Sequence, residues 1–341
     1  MPASIADVAK LARVSISTVS RVINRSDLVN PRTRARVERA IQQLGYQPNA
    51  FARGLMLRRS EIVGLVLPDI HGEFYSEIIR GANTRARELG YNLVVSSARD
   101  GDDSRSLLHA IRQRALLDGV AVMVSELTDH VADALVDFRL PYVVLDGEVR
   151  EGAHDSVVID QRHGALAVMR HLVQRCGARR VIFVGGLATN VDTIARLGAY
   201  RQVLTEAGLP QSDEDVLHLD YQYETAYRLA ARSLRTWVGP GHCVFAANDE
   251  MAAGILAAAS EAGVAVPREL AVVGFDDTRI ARMTRPPLTT VRVPMAEMGS
   301  KAIELLCARI ADPERPPTQL SLKPELVIRG SCGAQRVESA A

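Results

Sequence analysis

The stretch Ser4-Ile5-Ala6-Asp7-Val8-Ala9-Lys10-Leu11-Ala12-Arg13-Val14-Ser15-Ile16-Ser17-Thr18-Val19-Ser20-Arg21-Val22-Ile23-Asn24 decides how this chain is read. Ser4 and Asp7 have the spacing of a capping box, with Asp7 in place of the usual Glu or Gln. Ile5, Val8 and Leu11 then form one apolar stripe, as on a short helix. Ala12-Arg13-Val14 is a break, and Ser15 is a good N-cap for a second helix reaching about Asn24, with Val19 and Ile23 facing inward. A third helix has Asn30 as cap, Pro31 in its first turn, Val37, Ile41 and Leu44 as its buried side, and Gly45 as its stop. Three short helices with a tight break between the first two are a helix-turn-helix arrangement.

The second helix of such a unit fits the DNA major groove, where all four base pairs can be told apart. Ile16, Ser17 and Arg21 share its outer face. A guanidinium there can bond guanine O6 and N7 together, so Arg21 is the candidate base reader, with Ser17 on a nearby edge and Ile16 against a thymine methyl. Ser15, Thr18, Ser20, Asn24 and Thr33 suit phosphate oxygens, which position without specifying.

Charge partition supports this reading. The chain has 341 residues and a net charge of +1. Residues 1–59, however, hold eleven Lys/Arg against three acids, a balance of +8, which leaves −7 on the remainder. A basic head on an acidic body places the polyanion at one end. The length calls for two or three units at about 150 residues each. No apolar run approaches the roughly 18 residues of a membrane span. Residues 1–7 lack the order of a signal peptide, and the four cysteines lie far apart with no His at zinc spacing. These features exclude a disulfide scaffold, a zinc finger and a membrane protein, and they fit a cytoplasmic chain without a metal or cofactor.

The run 7–24, with Thr33-Arg34 and Leu44-Gly45-Tyr46-Gln47-Pro48-Asn49-Ala50, resembles the signature of the lactose repressor (LacI/GalR) family of bacterial regulators. One departure stands in the turn, where the family has Gly and this chain has Arg13. If the position needs a positive φ, Arg carries a strain of order 1 kcal/mol that Gly avoids. Residues 48–56 read as about two turns of helix, too short to be stable alone in water. An ordinary linker and a folding-on-binding hinge both predict that weakness. The resemblance implies the hinge, with Asn49 and Ala52 in it and Leu55 wedged into the minor groove.

From residue 61 onward, strands and helices alternate. Strands read at 62–68, 92–96, 119–124, 142–145, 157–159, 181–185, 242–246 and 271–274, with helices at 75–90, 249–262 and 294–310. Such alternation means parallel sheets covered by helices, and about 270 residues make two lobes with a ligand cleft beyond the strand ends. No phosphate-loop, nucleophile-elbow, zinc-hydrolase or complete dinucleotide fingerprint is present, so no enzyme is expected. Polar and aromatic side chains instead gather at six strand ends: Phe74 and Tyr75, Asp146, Asn190 with Asp192 and Arg196, Tyr221, Asn248, and Asp276. Each alone also reads as a structural cap, and Asp249 and Asp277 are read that way. Together they offer the paired acceptors, donors and aromatic faces that hold a polyol.

The resemblance extends here through residues 63–69, 245–249, 272–277 and 287–291, and covers the chain to about Gly330. It implies effector contacts for Phe74, Tyr75, Asn190, Asp192, Arg196, Tyr221, Asn248 and Asp276. Two further departures are His71-Gly72-Glu73 in place of an Asn-Pro motif, and the inverted order Gly198-Ala199. The expected architecture is an N-terminal all-α helix-turn-helix domain (1–46), a hinge (47–60) and an α/β two-lobed periplasmic-binding-protein-like body with parallel sheets (61–330). Lobe one takes about 61–160 and 291–320, lobe two about 161–290 and 321–330, and 331–341 is a short polar tail. The expected function is a DNA-binding repressor, a homodimer on double-stranded operator DNA, controlled by a mono- or disaccharide. The rival is a solute-binding protein of sugar uptake, which predicts a signal peptide and no helix-turn-helix.

Overall fold

Capping chemistry delimits the helices of the amino-terminal unit. In the computed structural model, residues 3–24, 29–46, 60–97, 117–123, 140–147 and 154–334 are described. The chain divides into two units, Met1–Glu61 and Ile62–Ala341. Helix α1 (Ile5–Ala12) opens with the capping box: the Asp7 N–H donates to Ser4 Oγ at 3.3 Å, and the Ser4 N–H donates to Asp7 Oδ2 at 2.9 Å. Helix α2 (Ile16–Asn24) begins where the Thr18 N–H donates to Ser15 Oγ at 3.2 Å. Helix α3 (Pro31–Leu44) has Asn30 Oδ1 accepting from the Arg32 N–H at 2.9 Å, and ends at Gly45 with φ 58°. Val8, Ala9, Ala12, Val19, Val22, Val37 and Ala40 form the core. Ile23, Ile41 and Leu44, read as inward-facing, sit on the margin of that core instead.

Arg13 occupies the left-handed region, φ 49° and ψ 51°, so the turn does require the conformation that glycine supplies. The left-handed cost of about 1–2 kcal/mol is offset in part by the smaller unfolded-state freedom of Arg. Arg13→Gly is therefore expected to stabilise this unit by about 0.5–1 kcal/mol, seen as a roughly two- to fivefold slower exchange of the α1 and α3 core amides. Unchanged or faster exchange would contradict it.

The second unit contains two parallel sheets. The first has six strands in the order β11-β5-β4-β3-β1-β2: β1 (Ile62–Leu67), β2 (Asn92–Ser97), β3 (Gly119–Met123), β4 (Tyr142–Leu145), β5 (Asp155–Ile159) and β11 (Gln319–Leu322). The second has the order β7-β6-β8-β9: β6 (Arg180–Gly185), β7 (Val216–His218), β8 (His242–Ala246) and β9 (Ala271–Val273). β10 (Thr290–Arg292) and β12 (Glu325–Val327) make an antiparallel ribbon. The interior strands are continuous apolar runs because helices cover both faces. Helices α4 (Gly72–Glu88) and α10 (Met295–Ala311) pack closely on the first sheet; a Cβ at Gly81 would lie 1.9 Å from the Ala296 carbonyl oxygen. The second sheet packs with α6 (Val191–Glu206), which also contacts α5 (Gln161–Gln174), and with α8 (Asp249–Glu261), which contacts α7 (Tyr223–Trp237) and α9 (Arg279–Met283).

The strands and helices expected from residue 61 onward are present, except that Val124 lies outside the described residues. The short strands β10, β11 and β12 were not foreseen, since such runs carry no readable periodicity, and β7 was signalled only by the strand end placed at Tyr221. β11 stays in the first sheet as far as Leu322, whose carbonyl accepts from the Asp160 N–H at 2.9 Å.

Candidate functional site

The outer face of α2 is built from what its inner face does not use. Val19 and Val22 are buried, which turns Ile16, Ser17 and Arg21 outward, with Ile16 52% exposed. The Ser15 hydroxyl lies 2.7 Å from that of Ser17 and 2.9 Å from that of Thr18, a hydroxyl cluster at the first turn. Ser20 and Thr33 are half-buried. Asn24 closes α2, but its side chain lies outside the described residues, as do Asn49, Ala52 and Leu55.

In the second unit, all nine side chains singled out at strand ends line one cleft of about 250 Å³: Phe74, Tyr75, Asp146, Asn190, Asp192, Arg196, Tyr221, Asn248 and Asp276. They lie beyond the carboxyl ends of strands from both sheets, where open α/β folds place ligands. Asp69, His71, Glu73, Met123, Asp220, Gln222, Glu250 and Thr278 join them. Sequence reading missed these. Asp69, Met123 and Asp220 stand at or near strand ends, and the others lie at or beside helix starts.

Arg196, 3% exposed, is a fixed cation at this site. Its Nε and Nη2 donate to Gln161 Oε1 at 3.2 and 2.9 Å, and its Nη1 donates to the Ala247 carbonyl. Asp192 Oδ2 lies 3.6 Å from Nη2, and the guanidinium carbon stands 4.0 Å above the Phe275 ring. Gln161 and Phe275 thus hold the arginine, and neither was foreseen. The Gln161 Nε2 is buried without an acceptor among the described residues.

Around this cation stand three carboxyls whose pKa is raised. Burial pushes Asp146 well above the usual range, with the Asp192 charge adding to it, and burial likewise raises Asp192 and Asp276. Asp276 and Asp146 sit at positive φ (111° and 53°), so the backbone turns there to present the carboxyls. Asn190 and Asn248 cap α6 and α8, accepting from the Thr193 N–H at 3.0 Å and the Met251 N–H at 2.9 Å. The Asn248 amide donates to the Tyr221 carbonyl at 2.9 Å, and the Tyr221 hydroxyl donates to Asn190 Oδ1 at 2.9 Å. Burial raises the Tyr221 phenol to about 12, so it remains a donor. Its ring lies against Gly186, where a Cβ would come within 2.0 Å of the ring carbon Cε2. Phe74 and Tyr75 meet edge to face at 5.2 Å.

The His71-Gly72-Glu73 departure has a structural use. Asp69 Oδ1 accepts from the N–H groups of Ile70 and His71 and lies 2.7 Å from His71 Nδ1. Gly72 turns at φ 82°, and Glu73 then reaches across the cleft to accept from the Arg279 N–H at 2.8 Å.

Asp249 and Asp277 are not helix caps. Asn248 and Thr278 hold the N-cap positions of α8 and α9, which frees both carboxylates for distant partners. Asp277, whose side chain is buried, pairs with Arg292 at 2.8 Å, Arg329 at 2.5 Å and Arg282 at 3.6 Å. Asp249 Oδ2 accepts from the Thr278 N–H at 2.7 Å, and Oδ1 from the Thr290 hydroxyl at 2.5 Å. Burial outweighs these donors and lifts its pKa to about 7. A carboxyl raised in the folded state contributes stability that is complete below the unfolded value near 3.8 and is lost as pH rises through about 7. Between pH 4 and 7.5 the wild type is therefore expected to lose roughly 3–4 kcal/mol relative to Asp249→Asn, which cannot titrate. Urea unfolding of both chains across that range checks this, and parallel profiles would refute it.

A helix-turn-helix head joined to a two-lobed body with a polar cleft defines a ligand-controlled DNA-binding regulator. Residues 4–49 match the pattern of bacterial regulatory proteins, lacI family, and residues 169–332 that of the periplasmic binding protein-like domain. Catabolite control protein A of Priestia megaterium is 34% identical over 309 residues, 90% of this chain and 92% of that protein. The HTH-type transcriptional repressor PurR of Proteus mirabilis is 32% identical over 331 residues, 96% of each chain. Among solved structures, the transcriptional regulator CelR–cellobiose complex matches with a TM-score of 0.73 and 32% identity, over 96% of this chain and 99% of that one. The Lac repressor dimer bound to operator and the anti-inducer ONPF matches with a TM-score of 0.87 and 25% identity, over 98% of this chain and all of that one. The chain belongs to the lacI family of bacterial regulatory proteins. It is a DNA-binding transcriptional repressor controlled by a small effector, a reading favoured over that of a solute-binding protein. Its relatives are transcriptional regulators, and no described helix is long and apolar enough to cross a membrane.

Proposed function

We propose that the effector is a neutral mono- or disaccharide, held by Phe74, Tyr75, Asp146, Asn190, Asp192, Arg196, Tyr221, Asn248 and Asp276. One observation carries this reading: the cleft is lined by seven carboxyls (Asp69, Glu73, Asp146, Asp192, Asp220, Glu250 and Asp276) against a single arginine, whose donors are engaged by protein acceptors. Such a lining offers an anion carboxyls and a guanidinium already engaged by protein acceptors, so a phosphorylated sugar is disfavoured. Carboxyls and amides that accept and donate in pairs suit vicinal hydroxyls, and the two aromatic rings suit a sugar's C–H face. The cellobiose held by the CelR relative supports the same class.

At the other end, Arg21, Ser17 and Ile16 read base edges, while Ser15, Thr18, Ser20, Asn24 and Thr33 contact phosphates. Two chains pair through their bodies and set two reading helices on a pseudo-palindrome. Residues 47–60 form the hinge, with Asn49, Ala52 and Leu55 on the minor groove. Effector in the cleft changes the angle between lobes, hence the hinge spacing, hence operator affinity. By linkage, operator and effector change each other's affinity by one factor, typically about 5–150-fold.

A thermal-shift screen of neutral mono- and disaccharides, sugar phosphates and purines tests the assignment. A neutral saccharide at about 100 times its Kd is expected to raise the midpoint by roughly 5 °C, with sugar phosphates and purines inert. Stabilisation by anions or purines alone would overturn it.

A further inference from the structure

The four cysteines are scattered in sequence, yet the fold gathers two of them around a histidine. His171, Cys176 and Cys332 place their ligand atoms all within 4.8 Å of one another. Local helix geometry brings the first two together: the His171 carbonyl accepts from the N–H groups of Arg175 and Cys176 at 2.9 and 3.2 Å, so the chain turns back over the histidine at the carboxyl end of α5. Cys332 arrives from 156 positions further along, on a segment tied into the second lobe. Its neighbour Ser331 donates through Oγ to the Val272 carbonyl at 2.6 Å and accepts from the Thr289 N–H at 2.8 Å.

The donor set is chemically specific. His171 Nε2 lies 3.3 Å from Cys332 Sγ, close to the separation of two ligands sharing a tetrahedral zinc ion, given metal–nitrogen and metal–sulfur bonds of about 2.0 and 2.3 Å. The Thr289 hydroxyl donates to the same sulfur at 3.2 Å, the kind of outer hydrogen bond that orients a metal-bound thiolate. His171 and Cys332 are buried, whereas Cys176 is half-buried and leaves a path for an ion. Two sulfurs and one imidazole select a soft cation over magnesium or calcium.

We propose that His171, Cys176 and Cys332 form a binding site for a thiophilic divalent cation of the zinc class, with its fourth position left to solvent. The ion would clamp the carboxyl end of α5 to the segment beside β9 that carries Ser331 and Cys332.

The test uses the full-length chain, reduced and stripped with a chelator. With zinc(II), one ion per chain is expected to survive gel filtration and to raise the thermal midpoint. Cobalt(II) in its place is expected to give a thiolate-to-metal charge-transfer band in the near ultraviolet. Loss of an outer partner alone costs about 10–100-fold in metal affinity, so Cys176→Ser, Cys332→Ser and His171→Gln should each weaken binding by more than about 100-fold. Cys307→Ser, in α10, should leave binding unchanged. Cys176→Ser, half-buried at a helix end, keeps the test valid if the buried variants misfold. Equal metal retention by wild type and Cys176→Ser would overturn the proposal. So would a reduced wild type that takes up no metal but loses two free thiols on peroxide treatment, which would mark the pair as a disulfide-forming couple.

Discussion

Asp276→Ala is expected to weaken saccharide binding by roughly 10²–10³-fold, with operator affinity in the absence of effector held within about twofold. Asp276 follows β9, where its N–H donates to the Val291 carbonyl at 2.7 Å and its carbonyl accepts from the Val293 N–H at 3.2 Å. Its carboxyl is 8% exposed and makes no hydrogen bond to another described residue, so its acceptor capacity is free for a ligand. Burial keeps this carboxyl at the lower end of the range for charged acceptors, about 1.5–2 kcal/mol per hydrogen bond, and two sugar hydroxyls give the stated loss. Without Asp276, the buried Arg196 still keeps Asp192, Gln161 and the Ala247 carbonyl as partners, so the body should hold its thermal midpoint. Calorimetry with the saccharide identified by the screen, alongside fluorescence anisotropy on operator DNA, separates the two readouts. Unchanged affinity for the sugar would remove Asp276 from the site.

Arg21→Ala should act at the other end of the chain. Loss of a bidentate guanine contact costs about 1–3 kcal/mol of discrimination, so the preference for operator over scrambled duplex should fall by roughly 5–150-fold. The side chain is exposed on α2, whose packing rests on Val19 and Val22, so the head should remain folded. Weak binding to any duplex should persist, because the arginines of α3 and the remaining basic residues still release counterions. Substituting Thr18 instead should weaken all duplexes alike, the mark of a phosphate contact. Full discrimination in Arg21→Ala would transfer base reading to another residue.

What could be read without the fold was local. The Ser4–Asp7 capping box and the Ser15 and Asn30 caps involve groups two or three positions apart, so the spacing of residue types specifies them, whereas the question of strain at Arg13 came from the family resemblance. The cleft was legible as a set because strand ends in a parallel sheet converge wherever they fall in the chain. The family resemblance implied eight of the nine positions, and Asp146 came from the strand-end pattern alone. The roles of Asp249 and Asp277 were misread because a carboxylate at a helix start satisfies the cap pattern whether or not it is used that way; Asn248 and Thr278 take the N-cap positions.

The sequence by itself determined the helices of the head, the partition of charge between head and body, and the alternation that makes two parallel sheets, since each arises from neighbours along the chain. Only the tertiary structure decided that Gln161 and Phe275 hold Arg196, that Asp277 gathers three arginines, that Glu73 bridges the cleft, and that His171 and Cys176 meet Cys332. Those contacts join residues from 5 to 206 positions apart, and no periodicity or motif spacing encodes a separation set by how sheets and helices stack.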